Sequence, residues 1–172
     1  MAELAVHQSA LLTDLALCIN RYRLFSPGWY VCVMAKVQLT AEESEVPGLV
    51  AMVNYGRKKQ CEVRNEVFHG PPNFILDVFF SNDDETLFRR RDLFAKAGVH
   101  EYFVAIVDEP VEILWHRLDN GRYNLVQPDD DGILRSRALP NLWMPLQALQ
   151  DRDWWAVCGC IERGVSRRAD FS

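Results

Sequence analysis

The stretch FILDVFFSNDDETLFRRRDLFAKAGVHEYFVAIV, residues 74–107, decides the fold. It opens on Phe74-Ile75-Leu76-Asp77-Val78-Phe79-Phe80, an almost unbroken apolar run that Ser81-Asn82-Asp83 ends. A run this short suits a strand covered on both faces. From about residue 84 to 97 the period becomes helical, with Leu87, Phe88, Arg91, Phe94 and Ala95 on the stripe. Asp83, Asp84 and Glu85 crowd the positive end of that helix's dipole, and Gly98 is a natural C-terminal cap. Residues 102–107 are again short and apolar. Two buried strands joined by a helix imply a right-handed crossover and an α/β chain. One charge, Asp77, interrupts the first strand. Such a charge is costly unless it is paired or ligating.

Working outward, residues 8–23 read as an amphipathic helix, with Leu11, Leu12, Leu15, Ile19 and Tyr22 on one face. Ser26-Pro27-Gly28 breaks the chain. Residues 29–39 alternate as one strand, residues 42–45 form an acidic loop, and residues 49–55 form another strand. The basic segment after Gly56 is expected to be a connection. Beyond residue 107, strands at 111–118 and 123–126 turn at Asp119-Asn120-Gly121, a hairpin signal. Residues 145–163 read as one C-terminal helix carrying Trp154 and Trp155.

A chain of 172 residues makes about one domain. The net charge of −5 argues against strong nonspecific binding to nucleic acid. A local basic groove stays open through Arg57-Lys58-Lys59, Arg89-Arg90-Arg91, and Arg163, Arg167 and Arg168, although such runs also make solvated faces. Five cysteines at scattered spacing make a poor disulfide framework and read as reduced thiols in a cytoplasm. Cys158-Gly159-Cys160 lacks the spacing of a zinc or thioredoxin motif and reads as half-buried helix. No apolar run is long enough for a membrane span, and the first residues lack a signal peptide's pattern. Trp115 and Trp143 are expected in the core or an interface, and Trp154-Trp155 as an apolar patch suited to a homodimer.

An ordered series then becomes specific: His7-Gln8, Pro71-Pro72-Asn73-Phe74, the arginine-rich helix with Phe94, Ala97-Gly98-Val99-His100-Glu101-Tyr102-Phe103, Gly121-Arg122-Tyr123, Ser136, and Leu139-Pro140-Asn141-Leu142. From about residue 7 to 149 this resembles the Uma2 family of nucleases. The resemblance implies a restriction-endonuclease-like domain over residues 1–149, a mixed central sheet flanked by helices. Residues 150–172 are then a C-terminal helix and tail of the same domain, or an interface. It also implies a PD-(D/E)xK centre, in which two carboxylates hold Mg2+ or Mn2+ and a lysine helps place water, acting on a phosphodiester such as DNA.

Carried over residue by residue, the family's first aspartate falls on Gly48 of Val46-Pro47-Gly48, which has no carboxylate. Its second acid falls on Asp77 and its lysine on Arg90, four residues before Phe94. The resemblance thus implies Asp77 as the metal-binding carboxylate and Arg90 as the cation on the scissile phosphate. Arginine is a permanent cation and a poor proton shuttle. Glu62, Glu66, Asp83 and Asp84 are the candidates for a replacement carboxylate. Two functions follow. One is a metal-dependent nuclease with a degraded centre. The other is an inactive nuclease fold kept for binding or assembly, with Asp77 in a buried pair with Arg90 or Arg91.

Overall fold

A computed structural model describes residues 4–53 and 56–166. In chain order the elements are α1 (Val6–Phe25), β1 (Trp29–Val33), β2 (Val37–Gln38), β3 (Ser44–Glu45), β4 (Leu49–Val53), β5 (Glu62–Arg64), β6 (Val67–His69) and β7 (Phe74–Phe79). There follow α2 (Glu85–Ala97), β8 (Glu101–Ile106), β9 (Glu112–Asp119), β10 (Arg122–Leu125), β11 (Ile133–Arg135), β12 (Trp143–Pro145), α3 (Leu146–Gln150) and α4 (Trp154–Ser166). The central sheet runs β1-β4-β7-β8-β9-β10. β7 and β8 are its parallel pair, and the other neighbours are antiparallel. The mixed α/β sheet expected from residues 74–107 is therefore present. α2 begins on Asp84, whose carboxylate accepts the Thr86 amide, and ends at Gly98 with φ 92°.

Every residue of β7 and β8 is buried. Successive side chains of a strand point to opposite faces, so each strand feeds two cores. Phe74, Leu76, Val78, Phe103 and Ala105 pack with α1, α4 and the β11–β12 hairpin. Ile75, Phe79, Tyr102, Val104 and Ile106 pack with α2 and the small sheet β3-β2-β6-β5. A fully buried side chain of this size contributes about 2 kcal/mol.

Two expected elements are corrected. Residues 29–39 are not one strand: Met34 takes φ 52°, and the chain leaves the central sheet there to enter the small one as β2. Residues 145–163 are not one helix either. Arg152 takes φ 57° between α3 and α4, and the Asp153 carboxylate accepts the Ala156 amide to start the second helix. The expected acidic loop contributes β3, and the connection after Gly56 is followed by the β5–β6 hairpin, which turns at Asn65 and Glu66, both at positive φ. Tyr55, the expected end of β4, lies outside the described residues, as do Arg167 and Arg168. Among the described residues no helix is long and apolar enough to cross a membrane. Trp115 is buried in the core, whereas Trp155 is 91% exposed.

The docking of α4 depends on one glycine. A Cβ on Gly164 would lie 2.4 Å from the Asn141 carbonyl oxygen and 2.9 Å from the Trp143 ring. A Cβ on Gly159 of the same helix would meet only the tip of Arg163, at 3.7 Å. Gly164→Ala is therefore expected to cost at least about 2 kcal/mol, while Gly159→Ala gains about 0.5–1 kcal/mol of helix propensity. Urea unfolding of the two variants checks this, and equal effects would contradict the packing.

Candidate functional site

The site forms where three parts of the chain converge on Asp77. β7 carries Asp77 on the face turned to α2, where it is 3% exposed. The turn into β4 brings Gly48 over it, and the Gly48 N–H donates to Asp77 Oδ1 at 2.7 Å. Glycine permits that approach. A Cβ there would lie 3.0 Å from the Leu76 carbonyl oxygen and 3.1 Å from Leu12 Cδ1. On β8, Tyr102 O–H donates to Asp77 Oδ2 at 2.9 Å. Phe94 meets the Tyr102 ring edge-on at 5.0 Å and His116 stacks on it at 6.1 Å, which fixes the phenol's direction.

Arg90 reaches the same carboxylate from α2. Its guanidinium lies 3.0 Å from Asp77 Oδ2, donates through Nε to Glu45 Oε2 at 3.0 Å, and donates to the Val46 carbonyl at 3.1 Å. Arg89 pairs with the other oxygen of Glu45. Glu45 and Asp77 thus share one arginine, with side chains 9% and 4% exposed. The fixed fork of a guanidinium suits this bridging of two carboxylates and a carbonyl.

The electrostatics follow from that packing. Burial would raise the Glu45 carboxyl, but the hydrogen bond from Arg89 and the charges of Arg90 and Arg89 hold it below the ordinary 4.5. Burial would lower Arg90, but the charges of Asp77 and Glu45 raise it instead. Burial, reinforced by the Asp77 charge, pushes the Tyr102 phenol well above its ordinary value. Tyr102 is therefore a neutral donor and Arg90 a fixed cation. Neither is a proton shuttle near neutral pH.

These residues do not fit a divalent cation as they stand. Magnesium requires an octahedron of oxygens and keeps several waters. Oδ1 of Asp77 is engaged by an amide, and Oδ2 by a phenol and a guanidinium. Where the resemblance sets the family's first acid, the structure has the Gly48 amide, a donor rather than a ligand. Among the described residues no group of three or more His, Cys, Asp or Glu gathers to hold a metal. The positive charge beside Asp77 is already supplied by the protein.

The two residues named from the sequence are thus brought together, Asp77 with Arg90 and not with Arg91. Arg91 pairs with Asp92 and lies over the Phe88 ring. Two of the four expected replacement carboxylates serve elsewhere. Glu62 pairs with Lys59 and Arg64, and Asp84 caps α2. Glu45 and Tyr102 were not singled out. The signal for Glu45 was an acid three residues before Gly48 in the same turn, and the signal for Tyr102 was a tyrosine inside an apolar strand.

A second buried carboxylate lies on the opposite face of the sheet. Glu101, wholly buried, accepts from Trp115 Nε1 at 3.2 Å, Arg117 Nε at 3.1 Å, Ser136 Oγ at 2.6 Å and the Arg137 amide at 2.8 Å. It ties β8 to β9 and to the segment after β11. Its four donors leave it a structural anchor rather than a reacting group.

Comparison with known proteins agrees with this architecture. The family model Uma2, described as "Putative restriction endonuclease", matches residues 1–147. The crystal structure of a "putative nuclease belonging to DUF820" from Anabaena variabilis is similar in fold, with a TM-score of 0.66 at 13% identity over 89% of this chain and 84% of that one. No curated protein matches the chain.

Arg90→Met would leave the Asp77 charge buried and unpaired, and is expected to cost about 3–5 kcal/mol. Joining it to Asp77→Leu removes both charges and should recover part of that loss, the Gly48 amide and the Tyr102 hydroxyl being left without their acceptor. A double-mutant cycle by urea unfolding measures the coupling. Additive losses would refute the pairing as a structural unit.

Proposed function

Because the chain belongs to the Uma2 family, we propose that it keeps the nuclease fold as a binding module whose phosphodiesterase centre is closed by Arg90. The single observation that carries this reading is the guanidinium 3.0 Å from Asp77, with both carboxylate oxygens held by donors. A centre of that kind has no free oxygen to present to a metal and no base to activate water. The degraded catalytic set is then a conversion: a fixed cation stands where the reaction would need an exchangeable one.

The family points to nucleic acid as the partner. The closed centre is a poor place for a phosphate chain, because Glu45 faces Arg90 and Glu43 lies near Arg89. The groove between α2 and the β9–β10 hairpin is the better candidate. Arg91, Lys96, Arg122 and Tyr123 line it, with Asp92 as its one acid. Contact there would be to the backbone, hence weak and salt-sensitive. The same reading places the protein in the cytoplasm, where its free thiols stay reduced.

A metal-dependent nuclease is the second reading, and Glu45 is what favours it. With Arg90 displaced, Asp77 and Glu45 would be two carboxylates on one site. Incubation with plasmid and labelled duplex DNA, in Mg2+ or Mn2+, beside the Asp77→Ala variant, separates the two. The closed centre predicts intact DNA for both proteins. It also predicts a gel shift at low ionic strength that fades by about 0.2 M salt. Nicking that disappears in Asp77→Ala would establish the second reading, and the absence of any shift would remove nucleic acid as the partner.

A further inference from the structure

We propose that Cys18 and Cys158 are a reversible disulfide site that pins α4 to α1 when the protein meets a peroxide. Their sulfurs lie 3.9 Å apart, although the residues are 140 positions apart in the chain. Cys18 is wholly buried on α1, and Cys158 is half-buried on α4. Flanking contacts hold the two helices in register. Arg21 donates to Glu162 at 2.7 Å, one turn further along both helices, and Val157 and Ile161 are buried in the core shared with Leu15 and Ile19. Closing the bond brings the sulfurs about 2 Å nearer, to the covalent distance.

The two thiols differ in their access to solvent. Burial, with Cys158 and Asp14 adding to it, raises the Cys18 thiol and keeps it protonated. Cys158 is the one that solvent reaches. Its thiolate attacks one oxygen of hydrogen peroxide, the O–O bond breaks, hydroxide leaves, and a sulfenic acid forms. The Cys18 thiol, giving its proton to the departing hydroxyl, then attacks the sulfenic sulfur, a step that its burial slows. The S–O bond breaks as the S–S bond forms, and the Cys18 proton leaves with the hydroxyl as water. Two thiols are oxidised and one peroxide is reduced to two waters. A dithiol returns the pair to its resting state.

The consequence lies in where the bond falls. Cys18 belongs to the part of the chain that the family model matches, whereas α4 lies beyond residue 147. The link would therefore fasten the C-terminal helix to the nuclease-like domain and close a loop over most of the chain. The pair is distant in kind from the Asp77 centre and stands or falls independently of the proposed function.

The reduced full chain is treated with equimolar hydrogen peroxide, capped with N-ethylmaleimide under denaturing conditions, and digested with trypsin without reductant. The expected product joins the peptide of residues 1–21, whose one cysteine is Cys18, to the peptide of residues 153–163. That second peptide also holds Cys160, so the variants decide the partner. The link should persist in Cys160→Ser and vanish in Cys158→Ser. The linked protein should melt on the order of 10 °C higher, reversibly with dithiothreitol. Four outcomes would overturn the proposal: Cys158 driven to sulfinic acid with Cys18 still capped, a link that needs Cys160, a link between two molecules, or an unchanged melting point.

Discussion

A carboxylate in the middle of a buried strand sets the terms for the rest of this structure. An isolated charge at Asp77 would cost several kcal/mol even after the protein relaxes around it. Four groups from four parts of the chain are arranged against that cost. The turn before β4 supplies the Gly48 amide, β8 supplies Tyr102, α2 supplies Arg90, and Glu45 of β3 steadies Arg90 from behind. Each constrains its own element. Gly48 leaves little room for a Cβ, Tyr102 must lie between Phe94 and His116, and α2 must present Arg90 to Asp77 while Arg89 stays on Glu45 and Arg91 turns to Asp92.

The same logic operates once more, on the other face of the sheet. Glu101 sits one strand over, in register with Phe74, and is compensated by Arg117, Trp115, Ser136 and a backbone amide. Two buried acids thus hold the parallel pair from both sides, each with its own arginine. They differ in what they join. Glu101 joins structural segments only, while Asp77 stands at the position that the family resemblance assigns to a metal ligand. In the proposed reading, an internal cation takes the place of that metal at Asp77.

Much of this was legible in the sequence because it is local. The periods of residues 74–107, the cap at Gly98 and the turn at Asn120-Gly121 each depend on neighbours a few positions away, and all three appear where expected. Asp77 was conspicuous because it interrupts an apolar run, and the need for a cation followed from its charge. The resemblance set the cation at Arg90, whereas the residues alone left Arg90 and Arg91 both open as the buried partner of Asp77, since that choice depends on the rotation of α2 against the sheet. Glu45 was hidden for a similar reason: its partner lies 45 residues away, and an acidic turn looks solvated when read alone. The strand drawn over residues 29–39 failed at Met34, because alternation continues through the change of sheet and gives no sign of the positive φ. Cys18 and Cys158, brought together from two helices, carried no sequence signal at all.

In the proposed reading the protein's own guanidinium fills the place of a metal at Asp77. The Gly48 amide, 2.7 Å from Asp77 Oδ1, reports on that place directly. Its NMR signal in a titration with paramagnetic Mn2+ is the most direct measurement. If Arg90 closes the centre, the Gly48 resonance keeps its intensity while amides near exposed acids broaden. Selective loss of the Gly48 signal, together with those of Asp77 and Glu45, would mean that a metal displaces Arg90, and the account would be wrong.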